Sequence, residues 1–159
     1  MNEGVEWALH SCLNLSWVES GEAMTAAKLA AFYALPAAYL NKQLQALARA
    51  GIVSSTPGPR GGFRLARDPA KITLLDVVIA IEGPDDTFRC DEILRQGPDS
   101  EPETDYRKTC LISQGMRKAD LAWRKELAAQ SIADIKASVE RAFPSTPANT
   151  RNWFVNISN

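Results

Sequence analysis

The single histidine of this chain, His10, follows a carboxylate, Glu6, by four residues inside the stretch GVEWALHSC at positions 4–12. On a helix, positions i and i+4 stack on one face with Cβ atoms about 5–6 Å apart, so the imidazole and the carboxylate can converge on one metal ion. Read in isolation, the same pair is equally an ordinary solvated pair on a surface helix. Thiols are the other source of soft donors. Cys12, Cys90 and Cys110 make an odd number, and the N-terminus lacks a basic start followed by an apolar signal core. That points to free thiols, metal ligands or a redox pair rather than a disulfide framework. Cys12 lies two residues from His10 and so points to a different side of the helix, where a small buried thiol is its expected role. Trp7 is expected to pack in a core or an interface. The chain has no Gly-x-Gly-x-x-Gly, no phosphate-binding loop and no second histidine for acid–base work. No enzyme and no small-molecule substrate are therefore expected.

The elements that must position these groups follow from periodicity and punctuation. Residues 3–18 carry helical spacing and Ser20-Gly21 is a stop. Thr25 is an expected N-cap for AAKLAAFYAL, and Pro36 opens PAAYLNKQLQALARA, whose Leu40, Leu44 and Leu47 share one face before Gly51 closes it. Two strand-like runs, Ile52–Thr56 and Gly62–Ala66, flank PGPRG and read as a β-hairpin. Thr73 is a possible cap for a buried helix from Leu74 to Ile81. Residues 83–109, rich in acid, Pro and Gly, read as an irregular loop with Cys90 near its start and Cys110 just past its end. A long helix follows, with Ile112, Met116, Ala119, Trp123 and Leu127 on one stripe. IADIKASVERAF is a further helix, and 144–159 has no clear periodicity.

Two short helices joined by a tight turn and followed by a hairpin form a winged helix-turn-helix pattern. In such a unit the N-terminal half of the second helix faces base edges in the major groove, which here offers Tyr39, Lys42 and Gln43. Lys42 suits phosphate or guanine, and Gln43 suits adenine. At the wing tip Arg60 can reach a minor groove or a phosphate, with Gly61 and Gly62 allowing close backbone approach. Thr25 and Lys28 could hold phosphates. The net charge of −1 hides this basic surface: Pro36–Lys71 carries six bases against Asp68, and Gly83–Asp105 carries eight acids against Arg89 and Arg95. A purely structural three-helix bundle with a hairpin fits the same pattern. No run approaches the roughly 18 apolar residues of a membrane span, so a cytoplasmic protein without a membrane partner is expected.

AAYLNKQLQALARAGIVSSTPGPRGGFRLAR and ITLLDVVIAIEGP resemble the recognition helix, wing and following helix of the Rrf family of transcription regulators. The resemblance covers roughly residues 4–140. It implies a mainly α fold with a small β-hairpin: a winged helix-turn-helix domain over 1–82, a cluster-binding loop over 83–109, dimerisation and C-terminal helices over 110–143, and a tail over 144–159. It also implies a homodimer that binds double-stranded, palindromic operator DNA. Cluster-binding members usually carry three cysteines close together in the loop, whereas Cys90 and Cys110 are separated by 19 residues. One branch of the family is similar in a more telling way. It holds a 2Fe-2S cluster with two loop cysteines of one subunit and a glutamate and a histidine from the first helix of the other, and that helix carries the Gly-Val-Glu-Trp-Ala-Leu-His seen here at 4–10. The resemblance implies Cys90, Cys110, Glu6 and His10 as ligands and redox sensing as the function. A cluster-free thiol switch and a small iron–sulfur electron-transfer protein are the alternatives.

Overall fold

The computed structural model describes residues 2–18 and 22–157. The expected stop at Ser20-Gly21 lies outside the described residues. Helix α1 spans Glu3–Leu15, α2 Ala26–Phe32, α3 Ala37–Arg49 and α4 Leu74–Glu82, with strands β1 (Val53–Thr56) and β2 (Gly62–Leu65) between α3 and α4. Helix α5 is short, Tyr106–Thr109, and is followed by α6 (Leu111–Ala128), α7 (Ile132–Ala142) and α8 (Thr146–Asn156).

Local chemistry sets these boundaries. The Thr25 hydroxyl accepts the Lys28 backbone N–H at 3.1 Å and starts α2. Helix α3 ends where Gly51 takes φ +66°, a conformation that costs glycine little. Gly51 then donates to the Ala48 carbonyl and Ile52 to that of Leu47, both at 3.0 Å, so two otherwise orphaned carbonyls are satisfied. Thr73 and Asp76 bond each other's backbone N–H groups at the start of α4.

Strands β1 and β2 pair antiparallel from Val53↔Leu65 to Thr56↔Gly62. Met24 adds a bridge on the other side of β2: its N–H and C=O bond Phe63 at 2.8 and 2.7 Å. The wing is thereby fastened to the entrance of α2. Gly62 is required there, because a Cβ at its φ of +146° would meet the Met24 carbonyl carbon at 2.5 Å.

The core lies among α1, α2, α3 and the wing. Leu40, Leu44 and Leu47 are fully buried, as the i, i+4, i+7 stripe requires, together with Ala8, Cys12, Leu29 and Ile52. Helix α7 returns to this body: Ile132 joins the core, the Trp17 indole donates to Glu140 at 2.9 Å, and Lys136 donates to the Ser16 carbonyl at 3.1 Å.

Three features differ from the sequence reading. Residues 146–156, read as a tail without clear periodicity, form α8. Two aromatic side chains hold it: Phe154 stacks on Phe32 at 5.4 Å between centroids, and Trp153 meets Phe32 edge-on at 5.0 Å. Two anchors on one turn do not make a repeating stripe, so periodicity missed it. The loop after α4 contains a 3-10 turn, Ile93–Gln96, and the short α5. Finally, α6 is turned outward. Ser113 and Asp120 face the body, while Leu111, Ile112 and Leu121 are 80%, 72% and 68% exposed.

Candidate ligand site and nucleic-acid surface

Glu6 and His10 both lie exposed on α1, one turn apart, and line one shallow groove of about 390 Å³ with Asn2, Glu3, Val5 and Leu9. Among the described residues neither makes a hydrogen bond or an ion pair, so their donor atoms are available. His10 is not wholly free of neighbours. Its ring sits 5.8 Å from that of Tyr33, which in turn lies 5.4 Å from Trp7 and 5.0 Å from Phe32. The Tyr33 hydroxyl accepts from Asn14 at 2.7 Å, and burial pushes its phenol well above the usual range. Tyr33 closes α2, so it joins the histidine face of α1 to the helix-turn-helix. Its role was not legible in the sequence, where FYAL reads only as the end of a helix.

The two loop cysteines are half-buried and free. Cys110 is the N-cap of α6, at the positive end of an 18-residue helix, which favours negative charge there. Cys90 lines a cleft of about 460 Å³ that also holds Arg89, Arg107 and Arg117 together with Asp85, Asp86 and Asp91. The loop is tied to α6 by Asp120, which accepts from the Thr87 hydroxyl at 2.6 Å and from Arg124 at 2.8 Å. The Thr87 and Arg124 hydrogen bonds hold the Asp120 carboxyl below the usual carboxylate range. Arg107 pairs with Glu92 at 2.8 Å across the loop.

The cysteine pair and the Glu6–His10 pair do not meet within one chain. Among the described residues no three His, Cys, Asp or Glu side chains are grouped to hold a metal ion. Cys12 stands apart from both: it is fully buried in the core, and burial pushes its thiol up to about 12 against a weaker lowering by Arg67. It is a neutral packing residue, as its position on α1 suggested.

The second surface is built on α2, α3 and the wing. Tyr39 and Lys42 are exposed on the first half of α3, and Arg60 is exposed at the wing tip. Gln43 is a correction. It is only 8% exposed, and its amide lies against Gly4 of α1, where a Cβ would meet its Oε1 at 2.9 Å. The residue expected to read adenine instead packs α3 onto α1. Gly61 is buried at the tip, and Gly62 serves the contact with Met24 described above. Thr25 caps α2 with its hydroxyl, which places Lys28 on the first turn beside the wing.

Residues 1–138 match the Rrf2 family, described as an iron-dependent transcriptional regulator. The chain belongs to the Rrf2 family. It is 27% identical over 135 residues to the YwgB protein of Bacillus subtilis, covering 85% of this chain and 83% of that one. It is 36% identical to the transcriptional regulator IscR of Photorhabdus laumondii over 52 residues, about a third of each chain. Among solved structures, CymR, the global cysteine regulator of B. subtilis, matches with a TM-score of 0.65 at 20% identity, over 87% of this chain and 96% of that one. IscR of T. potens matches with a TM-score of 0.65 at 18% identity, over 90% of each. The fold is thus the winged-helix architecture of Rrf2 regulators. Rrf2 members are transcription regulators that bind DNA, not enzymes. No helix among the described residues of this Rrf2 chain is long and apolar enough to cross a membrane.

Proposed function

We propose that this Rrf2 regulator is a homodimer whose affinity for operator DNA is set by a 2Fe-2S cluster held between subunits, by Cys90 and Cys110 of one chain and Glu6 and His10 of the other. The observation that carries this reading is the separation of two donor pairs. Glu6 and His10 stand exposed and unpartnered on α1, while both thiols sit half-buried at the loop of the same chain. A two-iron cluster takes four protein ligands, and a set of two thiolates with one nitrogen and one oxygen donor is chemically suitable. Neither pair suffices alone, and a second copy would bring the complementary pair.

The outward face of α6 supports that second copy. Ile112 and Met116, one turn apart on the same face, are exposed to water at a cost of about 25 cal/mol per Å², and burying them against a symmetry mate removes the cost. When bound, the cluster supplies a one-electron redox change at the subunit boundary. The protein's part is to couple that boundary to DNA. His10 contacts Tyr33, Tyr33 closes α2, and α2 packs against α3, the helix that carries Tyr39 and Lys42. A dimer presents two such helices to half-sites about one DNA turn (~34 Å) apart, so a small shift of α1 against the partner's loop changes how well both fit.

Anaerobically purified protein is expected to be coloured, with iron and sulfide near two each per chain. Glu6→Ala and His10→Ala should each destabilise the cluster without unfolding the chain, since both side chains are exposed. Colourless protein that takes up no iron and sulfide on reconstitution removes the cluster from the proposal. In that case the free Cys90 and Cys110 favour a second reading, a thiol switch. A peroxide-class oxidant would then take two electrons and two protons as the disulfide forms, and mass spectrometry of the oxidised protein would show the loss of two hydrogens.

A further inference from the structure

We infer that α8 is part of the DNA-binding surface and that Arg151 contacts a phosphate of the DNA backbone, in a cleft it shares with the start of α2 and the wing tip. This rests on the regulator reading above. The cleft has a volume of about 590 Å³, and its lining includes Lys28 of α2, Arg60 and Gly61 of the wing, and Arg151 of α8. Among the described residues, three cationic side chains from three elements distant in sequence converge on it, against one carboxylate, Glu22.

Pairing distinguishes this cleft from the charged loop. Among the described residues the side chains of Lys28, Arg60 and Arg151 make no ion pair and no hydrogen bond. Around the loop, by contrast, Arg95, Arg107 and Arg124 all have carboxylate partners. Unpaired cations facing one cleft raise its positive potential, and a polyanion that releases condensed counterions on contact is the ligand class that gains most from it. Thr25 adds a hydroxyl to the same lining. The start of a helix and the tip of a wing are also where a winged helix-turn-helix meets the backbone on either side of the groove entered by its recognition helix.

Helix α8 is held in place to do this. Phe154, 3% exposed, is stacked on Phe32 of α2, so α8 is fixed to the helix that carries Lys28. Arg151 is exposed three residues before Phe154, on the adjoining turn. Its guanidinium can therefore follow the DNA without disturbing the anchor.

The test uses the full chain with a duplex enriched from random sequence by repeated selection on this protein, and reads affinity against salt concentration. Arg151→Ala should weaken binding several-fold at low salt and reduce the slope of log K against log salt by about 1, the signature of one lost phosphate contact. Arg151→Lys should recover most of both, because the charge is kept. Lys42→Ala, on α3, reports separately on the recognition helix. If the wild-type chain selects and retains a duplex and Lys42→Ala weakens it while Arg151→Ala changes neither affinity nor slope, the inference about α8 is wrong and the regulator reading stands. If the wild-type chain retains no duplex at any salt, the regulator reading fails and takes this inference with it. Thermal unfolding of Arg151→Ala should match the wild type. If it does not, Arg151→Lys becomes the deciding variant: wild-type slope supports the contact, and a slope reduced as in the alanine variant overturns it.

Discussion

Cys12 and His10 sit two residues apart on the same helix and have opposite fates, because one turns into the core and the other into solvent. That difference yields a prediction at the scale of a single side chain. The Cys12 thiol, with an ordinary value of 9.0 in the unfolded chain and about 12 in the folded one, is held neutral by burial. Its neutral form is the one that the folded state accepts. Its contribution to stability is therefore intact below pH 9 and is lost as the pH rises from about 9 toward 12. Cys12→Ala should cost about 1 kcal/mol at neutral pH and flatten the alkaline loss of stability, as read by denaturant unfolding across that range. It should leave any visible absorbance unchanged. A bleached Cys12→Ala protein that remains folded would make Cys12 a ligand and undo its assignment to the core.

At the scale of elements, α6 carries the least ordinary choice in the fold. Its inward face is polar: Asp120 and Arg124 bind each other and the loop through Thr87 and the Asp85 carbonyl. Its exposed side carries Ile112 and Met116 on one face, beside exposed Lys118 and Lys125. A helix turned this way is stable in isolation only at the cost of exposed hydrocarbon, which a symmetric partner removes. Ile112→Glu places a charge on that face, and at micromolar concentration it should shift the proposed dimer to monomer in sedimentation or light scattering. Because Ile112 is 72% exposed in the single chain, the monomer should keep its helical circular dichroism. An unaltered dimer would move the subunit interface away from α6.

At the scale of the whole molecule, the proposal is that a complete site requires two copies. A chain carrying both Glu6→Ala and His10→Ala retains its thiolates, and a chain carrying Cys90→Ala and Cys110→Ala retains its glutamate and histidine. Neither should hold a cluster alone. Mixed into heterodimers, they form one intact site and one empty one, so about half of the wild-type absorbance per dimer should return on reconstitution. Absorbance that fails to return, from a wild type that does bind a cluster, would mean that the ligands come from a single chain.

Much of this molecule was legible before any coordinates, for physical reasons that are local. The Thr25 cap, the Leu40–Leu44–Leu47 stripe, the Gly51 stop and the Thr73 cap each depend on residues within one or two turns, so residue type and spacing decide them. The types of the donors and the four-residue spacing of Glu6 and His10 are likewise properties of the chain itself. Tertiary packing decided what depends on partners distant in sequence. The tail became a helix because Phe32, more than a hundred residues earlier, offers its ring to Phe154. Gln43 left the DNA-facing side because Gly4 makes room for its amide. An amphipathic pattern states that α6 has two faces but not which one the body will cover; Thr87 and Asp85 resolved that by satisfying Asp120 and Arg124. Packing also set where Glu6 and His10 lie, because α1 is committed to the core through Val5, Ala8 and Cys12, and only its opposite face is left to carry them outward.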